Sequence, residues 1–469
     1  MLGVPVLALM TILMGAALPK GPKPMREVVA EGYRIRLDLS GQVLKADIPD
    51  DRGFGGEGSA EAPISATLAD IPSGGLVSAS MLAQKAKQFD DGLYAAVELA
   101  AQQGAGGFPG KSSLLKVLAE HFKTLPAAPR GNALDLLFAA CQIGNVPATV
   151  PAPLTASSKK TIDAFLGNEL RSKPISFYTW SPELSAIFQQ DRLLQTELEG
   201  RESTSALLKA FGSEPNAKTT YDQYLTLVSR LTNPLAYPSL REVQRALEAR
   251  KAPVPDKGVY FFPPSLAHET ELVKQLYGNR PIPAGFSLVD EMIKRIKSGQ
   301  IALKPTEKSG WYDYQTWALE PLVIPERMPE SGHLQAGEGY RKQLLELFKG
   351  ILALTRETHI KQLEVPMAGA MAPMRPRRPE VTIRPDLTAE PLATFYRRRA
   401  DAYRFVRGVL TDTFGAEALK QMHRLTARGP VKPELATELD EIERIFRGAA
   451  ATVEREIGMP AAAATNSDQ

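Results

Sequence analysis

The chain has 469 residues, 43% of them hydrophobic, with 56 Lys and Arg against 53 Asp and Glu. That length can bury a large core, as one big domain or two to three ordinary ones. A net charge of +3 supplies no concentrated basic face, so nucleic acid is not an expected partner.

Residues 1–18, MLGVPVLALMTILMGAAL, carry no charged side chain, and Lys20, Lys23 and Arg26 come directly after. This reads as a signal peptide cleaved after Ala17, with Gly15 and Ala17 as the small specificity residues, or as a retained N-terminal anchor. The expected location is therefore extracytoplasmic: periplasmic or secreted, with a membrane tether through residues 1–18 as the alternative. Residues 19–63 read as a linker and a β-hairpin. Tyr33, Ile35, Leu37 and Leu39 alternate with Arg34, Arg36 and Asp38, Ser40 and Gly41 turn the chain, and Leu44, Ala46 and Ile48 resume the pattern. DDRGFGGEGSAEAP, residues 50–63, closes this region as a linker.

From about Leu68 the apolar spacing becomes helical, and residues 64–458 are expected to form an α-helical domain. Leu344, Leu347, Phe348, Ile351 and Leu354 make one stripe; Leu392, Phe395, Tyr396, Val406 and Val409 make another. Leu435, Leu439, Ile442, Phe446, Val453 and Ile457 make a third, in a helix opening near Pro433. The fold class is mainly α, a large multi-helical domain with a small N-terminal hairpin. Residues 459–469 are expected to be a disordered tail.

Three stretches bear on chemistry. In SFYTWSPELSAIFQQDRLLQ, residues 176–195, Ser181 suits an N-cap, Pro182 the first helical position and Glu183 the positive helix end. Asp191 then falls on the apolar face of Leu184, Ile187, Phe188 and Leu194, where a carboxylate needs a partner. Tyr178 and Trp180 stand just ahead. In SGWYDYQTWALEP, residues 309–321, Trp311, Tyr314 and Trp317 accompany Asp313 and Glu320. Aromatic platforms beside two carboxylates are what glycoside cleavage uses, and Asp313 and Glu320, joined by Asp191, are the candidate acids. AGGFPGKSS, residues 105–113, approaches the phosphate-loop pattern through Gly110, Lys111 and Ser112. Ala105 replaces its first glycine and a helical stretch precedes it, so a helix–helix loop is expected.

No metal site or cofactor is implied. His121, His268, His333, His359 and His423 are scattered, and Cys141 is the sole cysteine, set among apolar neighbours. Met367, Met371 and Met374 read as a Met/Ala/Pro loop. Arg375, Arg377 and Arg378, with Arg397, Arg398 and Arg399, read as solvated basic clusters.

Three elements in this order resemble a family of large, secreted, helical bacterial proteins of unknown function. Residues 173–195 are similar to its aromatic-Tyr-Thr-x-Ser-x-x-Leu helix start. Arg356, Glu357, Thr358, Lys361 and Gln362 resemble its Arg-His-Asp-Thr helix ending in Lys-Gln, with Arg356 where the family has His. Glu390, Pro391, Phe395 and Tyr396 resemble its acid-Pro-Tyr helix. The resemblance spans Leu170 to Leu410 discontinuously and implies a helical fold and export, with no activity. The expected role is binding or structural, at the cell envelope, toward an envelope component or a polysaccharide. A carbohydrate-active hydrolase with an aromatic and carboxylate cleft is the alternative.

Overall fold

Ser78 opens the first long helix by accepting the Met81 amide proton at its side chain, 3.2 Å away, and α1 then runs over Ala79–Gln103. The computed structural model describes residues 78–123, 131–278, 280–283, 285–333, 337–364 and 389–459, with the backbone of strands β1 (Tyr33–Leu39) and β2 (Gln42–Ile48). The expected leader, the 50–63 linker, the Met loop with Arg375, Arg377 and Arg378, and residues 460–469 of the tail lie outside the described residues.

The two strands pair antiparallel, Tyr33 opposite Ile48, Ile35 opposite Ala46, Leu37 opposite Leu44 and Leu39 opposite Gln42. β1 lies along the last helix.

Beyond the hairpin the described chain is mostly helical. After α1 come α2 (Lys111–Lys123), α3 (Ala133–Ile143), α4 (Thr155–Leu166) and α5 (Pro182–Leu194). Next are α6 (Gly200–Ser213), α7 (Pro215–Leu231), α8 (Leu240–Glu248), α9 (His268–Tyr277) and α10 (Leu288–Lys297). The series ends with α11 (Trp311–Trp317), α12 (Glu338–Thr358), α13 (Ala393–Phe414) and α14 (Leu435–Glu456). A two-residue-per-strand pair, β3 (Leu425–Thr426) with β4 (Gly429–Pro430), precedes α14. One hydrophobic cluster extends from Ala79 to Ile457. The mainly α fold is thus helix packed on helix, with α13 against α14 as the most extensive pairing and α1 touching α2, α5 and α12.

The three predicted stripes face this core: Phe348, Phe395, Tyr396, Val406, Leu435, Ile442, Phe446 and Val453 are all buried. Ser181 caps α5 as expected, accepting from the Leu184 amide at 3.2 Å. Cys141 is packed below α2, and burial pushes its thiol up to about 12. No helix among the described residues is long and apolar enough to cross a membrane.

The AGGFPGKSS stretch is the tight connection between α1 and α2. Gly106 has φ +54°, and a Cβ there would run into the carbonyl oxygen of Phe414 at the end of α13. Gly107 beside it meets nothing. Gly106→Ala should cost about 1–3 kcal/mol and Gly107→Ala far less, a difference that urea denaturation of the two variants would measure. Equal losses would show that the approach to α13 carries no stability.

Candidate functional site

On α1, Asp90, Tyr94 and Glu98 recur at intervals of four and so share one stripe. That stripe faces inward, and two polar chains grow from it.

The first is ionic. Lys111 at the start of α2 hydrogen-bonds to Oδ1 of Asp191 on α5. Lys361, three residues beyond the end of α12, donates to Asp191 Oδ2 at 2.5 Å and reaches Glu98 Oε1 at 2.6 Å. Tyr178 donates to the same Glu98 oxygen at 2.9 Å, and Tyr224 of α7 to Asp191 Oδ2 at 3.1 Å. Lys111, Asp191 and Lys361 are each 1% exposed and Glu98 5%. Two ammonium groups thus meet two carboxylates with almost no water, an arrangement that holds only if every charge is matched. Burial alone would raise the Asp191 carboxyl, but the two lysines overcome it and hold the group below its ordinary range. Against burial, Asp191 and Glu98 together raise the Lys361 ammonium. Lys111 is lowered by burial, which its single carboxylate partner opposes.

The second chain is mostly neutral. The Tyr94 hydroxyl lies 2.8 Å from Thr232 Oγ1, which lies 3.1 Å from His359 Nδ1; His359 Nε2 is 2.8 Å from Gln315 Oε1. Gln315 Nε2 donates to Asp90 at 2.9 Å, and Asp90 also accepts from Tyr403 at 2.7 Å and Arg399 at 3.2 Å. Burial, with Lys87 and Arg399 nearby, lowers His359 to about 3, so the imidazole is neutral. Tyr94 stands between the chains, its ring edge-on to His359 at 5.2 Å.

The residues singled out from sequence fall into different surroundings. Asp191 has the partners it needs, though they are lysines. Tyr178 is buried and serves Glu98. Trp180 is half-buried, its ring 6.0 Å from Phe177. On α11 the helical twist parts the aromatic cluster. Trp311 is fully buried between His359 and Tyr403, at 5.3 and 6.4 Å. Half-buried Tyr314 stacks on Phe405 at 4.2 Å, and half-buried Trp317 lies under the Arg398 guanidinium, also at 4.2 Å. Asp313 accepts from Asn233 and Ser309, each at 2.7 Å, and pairs with His268 at 3.3 Å. Glu320 accepts from Arg398 at 2.7 Å. Each of these acids therefore has its own cationic or hydrogen-bonding partners, and Asp191 belongs to the interior. Arg398 and Arg399, read as solvated, are ion-paired, Arg399 in the core with Asp90.

Sequence reasoning did not single out Glu98 or Lys361 as members of the centre, and it read Lys111 as part of a loop. A signal for Glu98 exists: it is the one charged residue between Gly92 and Ala101. Lys361 resembles an ordinary basic residue at a helix end. Among the described residues no three His, Cys, Asp or Glu side chains converge as a metal ion would require. No family model matches the chain, nor does any characterised protein or solved structure.

Proposed function

We propose that the protein is exported or membrane-tethered and has a binding or structural role at the cell envelope. The observation that carries the non-catalytic half of this reading is the closure of the ionic centre. Acid or base catalysis needs a titratable group that reaches substrate, whereas Lys111, Asp191, Lys361 and Glu98 reach one another. Asp313 and Glu320 are likewise engaged by His268 and Arg398. A binding role also suits Leu170, 91% exposed, with exposed Leu166 and Ile175 in the same stretch. The apolar leader supports the address.

Fractionation of the source cells with N-terminal sequencing tests the location. Recovery in the envelope or outside the cell, beginning near Leu18 or retained on the membrane, is the expected result. An intact chain with Met1, dissolved in the cytosol, would sink it. Screening the purified protein against glycosidic substrates tests the role: turnover abolished by Asp313→Asn or Glu320→Gln would establish the hydrolase instead.

A further inference from the structure

Four connections meet above the ionic centre, joined by isolated backbone bridges. Glu197 pairs with Tyr260, Tyr260 with Ser239, Leu235 with Ser265, and Ser265 with Leu363. These come from the chain after α5, after α7, before α9 and after α12. The last of them buries Lys361 and, three residues on, brings Glu364 to a position where its side chain is 13% exposed. Loops pinned this way on a rigid helical frame are where binding groups are commonly displayed.

The outer face of this junction is aromatic. Tyr237 and Tyr260, both half-buried, stack with centroids 4.8 Å apart and planes at 28°. Tyr237 donates its hydroxyl to Glu364, which also accepts from Lys274 at 2.8 Å. Glu197 stands opposite Tyr260 through their bridge and takes the Gly258 amide proton at 2.6 Å. Arg171 closes the other side, donating to Thr196 at 2.9 Å. Partial burial, with Glu364 and Glu197 close by, pushes the Tyr237 hydroxyl up to about 12 and keeps it a donor.

We infer that Tyr237 and Tyr260, with Glu197 and Glu364 beside them, form a binding platform for a neutral saccharide. Tyr237 has Tyr260 against its ring and the Lys274 ammonium over it at 5.0 Å, so stacking falls to Tyr260 while Tyr237 supplies its polar rim. A sugar suits this pair, its C–H face stacking on a ring while its hydroxyls seek donors and acceptors. Glu364 is paired with Lys274, and Glu197 and Arg171 act on Tyr260 with opposite signs, so the rim mixes both charges and offers an ionic ligand no complement of a single sign. This rests on the binding reading above and names its ligand class.

The experiment is calorimetric titration of the full chain with cellohexaose, with chitohexaose, and with an oligogalacturonate as the anionic arm. At least one neutral oligosaccharide should bind, and Tyr260→Ala should weaken it roughly tenfold or more. Tyr237→Phe should keep the stacking and lose only the part owed to the hydroxyl. Unchanged thermal midpoints show that the variants are folded; if Tyr260→Ala is not, Tyr260→Leu fills the space without an aromatic face. Binding of neither neutral probe, preference for the anionic one, or indifference to both tyrosines overturns the platform. A cytosolic protein that binds cellohexaose would sink the envelope address and leave the platform standing. An envelope protein that binds no sugar would do the reverse.

Discussion

Replacing Lys361 by methionine should lower the stability of the folded chain by about 3–5 kcal/mol, a large share of what a folded protein has in reserve. Lys361 is the only member of the ionic centre that touches both carboxylates, at 2.5 and 2.6 Å. Without it Asp191 keeps Lys111, but Glu98 is left with the Tyr178 hydroxyl and without its ion-pair partner. The variant Lys361→Met/Glu98→Gln restores the balance of one cation to one anion, so it should lose less than the sum of the two single changes. Urea denaturation of the four proteins gives the comparison. If Lys361→Met costs under about 1 kcal/mol, the pairing of charges is not what maintains this part of the interior.

The second large effect is on acid stability, and it comes from two groups with opposite signs. His359 has its pKa lowered from 6.5 to about 3. Below pH 6.5 the unfolded chain binds a proton there that the folded chain refuses, so stability is lost as the pH falls. Asp91 is raised from 3.8 to about 6, because burial outweighs its ion pair with Lys87 and its bond from Thr358. Its contribution is fully present below pH 3.8 and disappears as the pH rises through 6, so acidification favours the folded form. Between pH 6 and 3.8 the two slopes offset one another, each at most about 1.4 kcal/mol per pH unit. Asp91→Asn should remove the compensation. Relative to the unmodified protein, it should lose a further 2–3 kcal/mol or thereabouts on going from pH 6 to pH 4. His359→Gln should move the other way. Parallel stability curves for all three proteins would refute both assignments.

The helical faces could be read in advance because they are local. Leu435, Leu439, Ile442, Phe446 and Val453 repeat at the spacing of a single helix, and burial of one face is all that their pattern has to encode. The Ser181 cap and the hairpin register are equally short-range. Asp191 showed itself as a polar residue in an apolar stripe. Its partners did not, since Lys111 is 80 positions away and Lys361 is 170, and no periodicity spans such distances. The aromatic cluster at residues 309–321 is dense along the chain but not in the fold. Neighbours in sequence are set some 100° apart around a helix axis, so aromatic density along the chain is divided in space between core and flank. The Tyr237 and Tyr260 pair was missed because nothing in either loop marks the other as adjacent.

The ionic centre also governs the order in which this molecule can be completed. Glu98, Lys111 and Asp191 emerge from the ribosome well before Lys361, and until it arrives two carboxylates must share one ammonium group. The first half of the polypeptide therefore has good reason to stay open to water until that last charge is in place. Truncated chains ending ahead of residue 361 should lack cooperative melting, however much helix they contain.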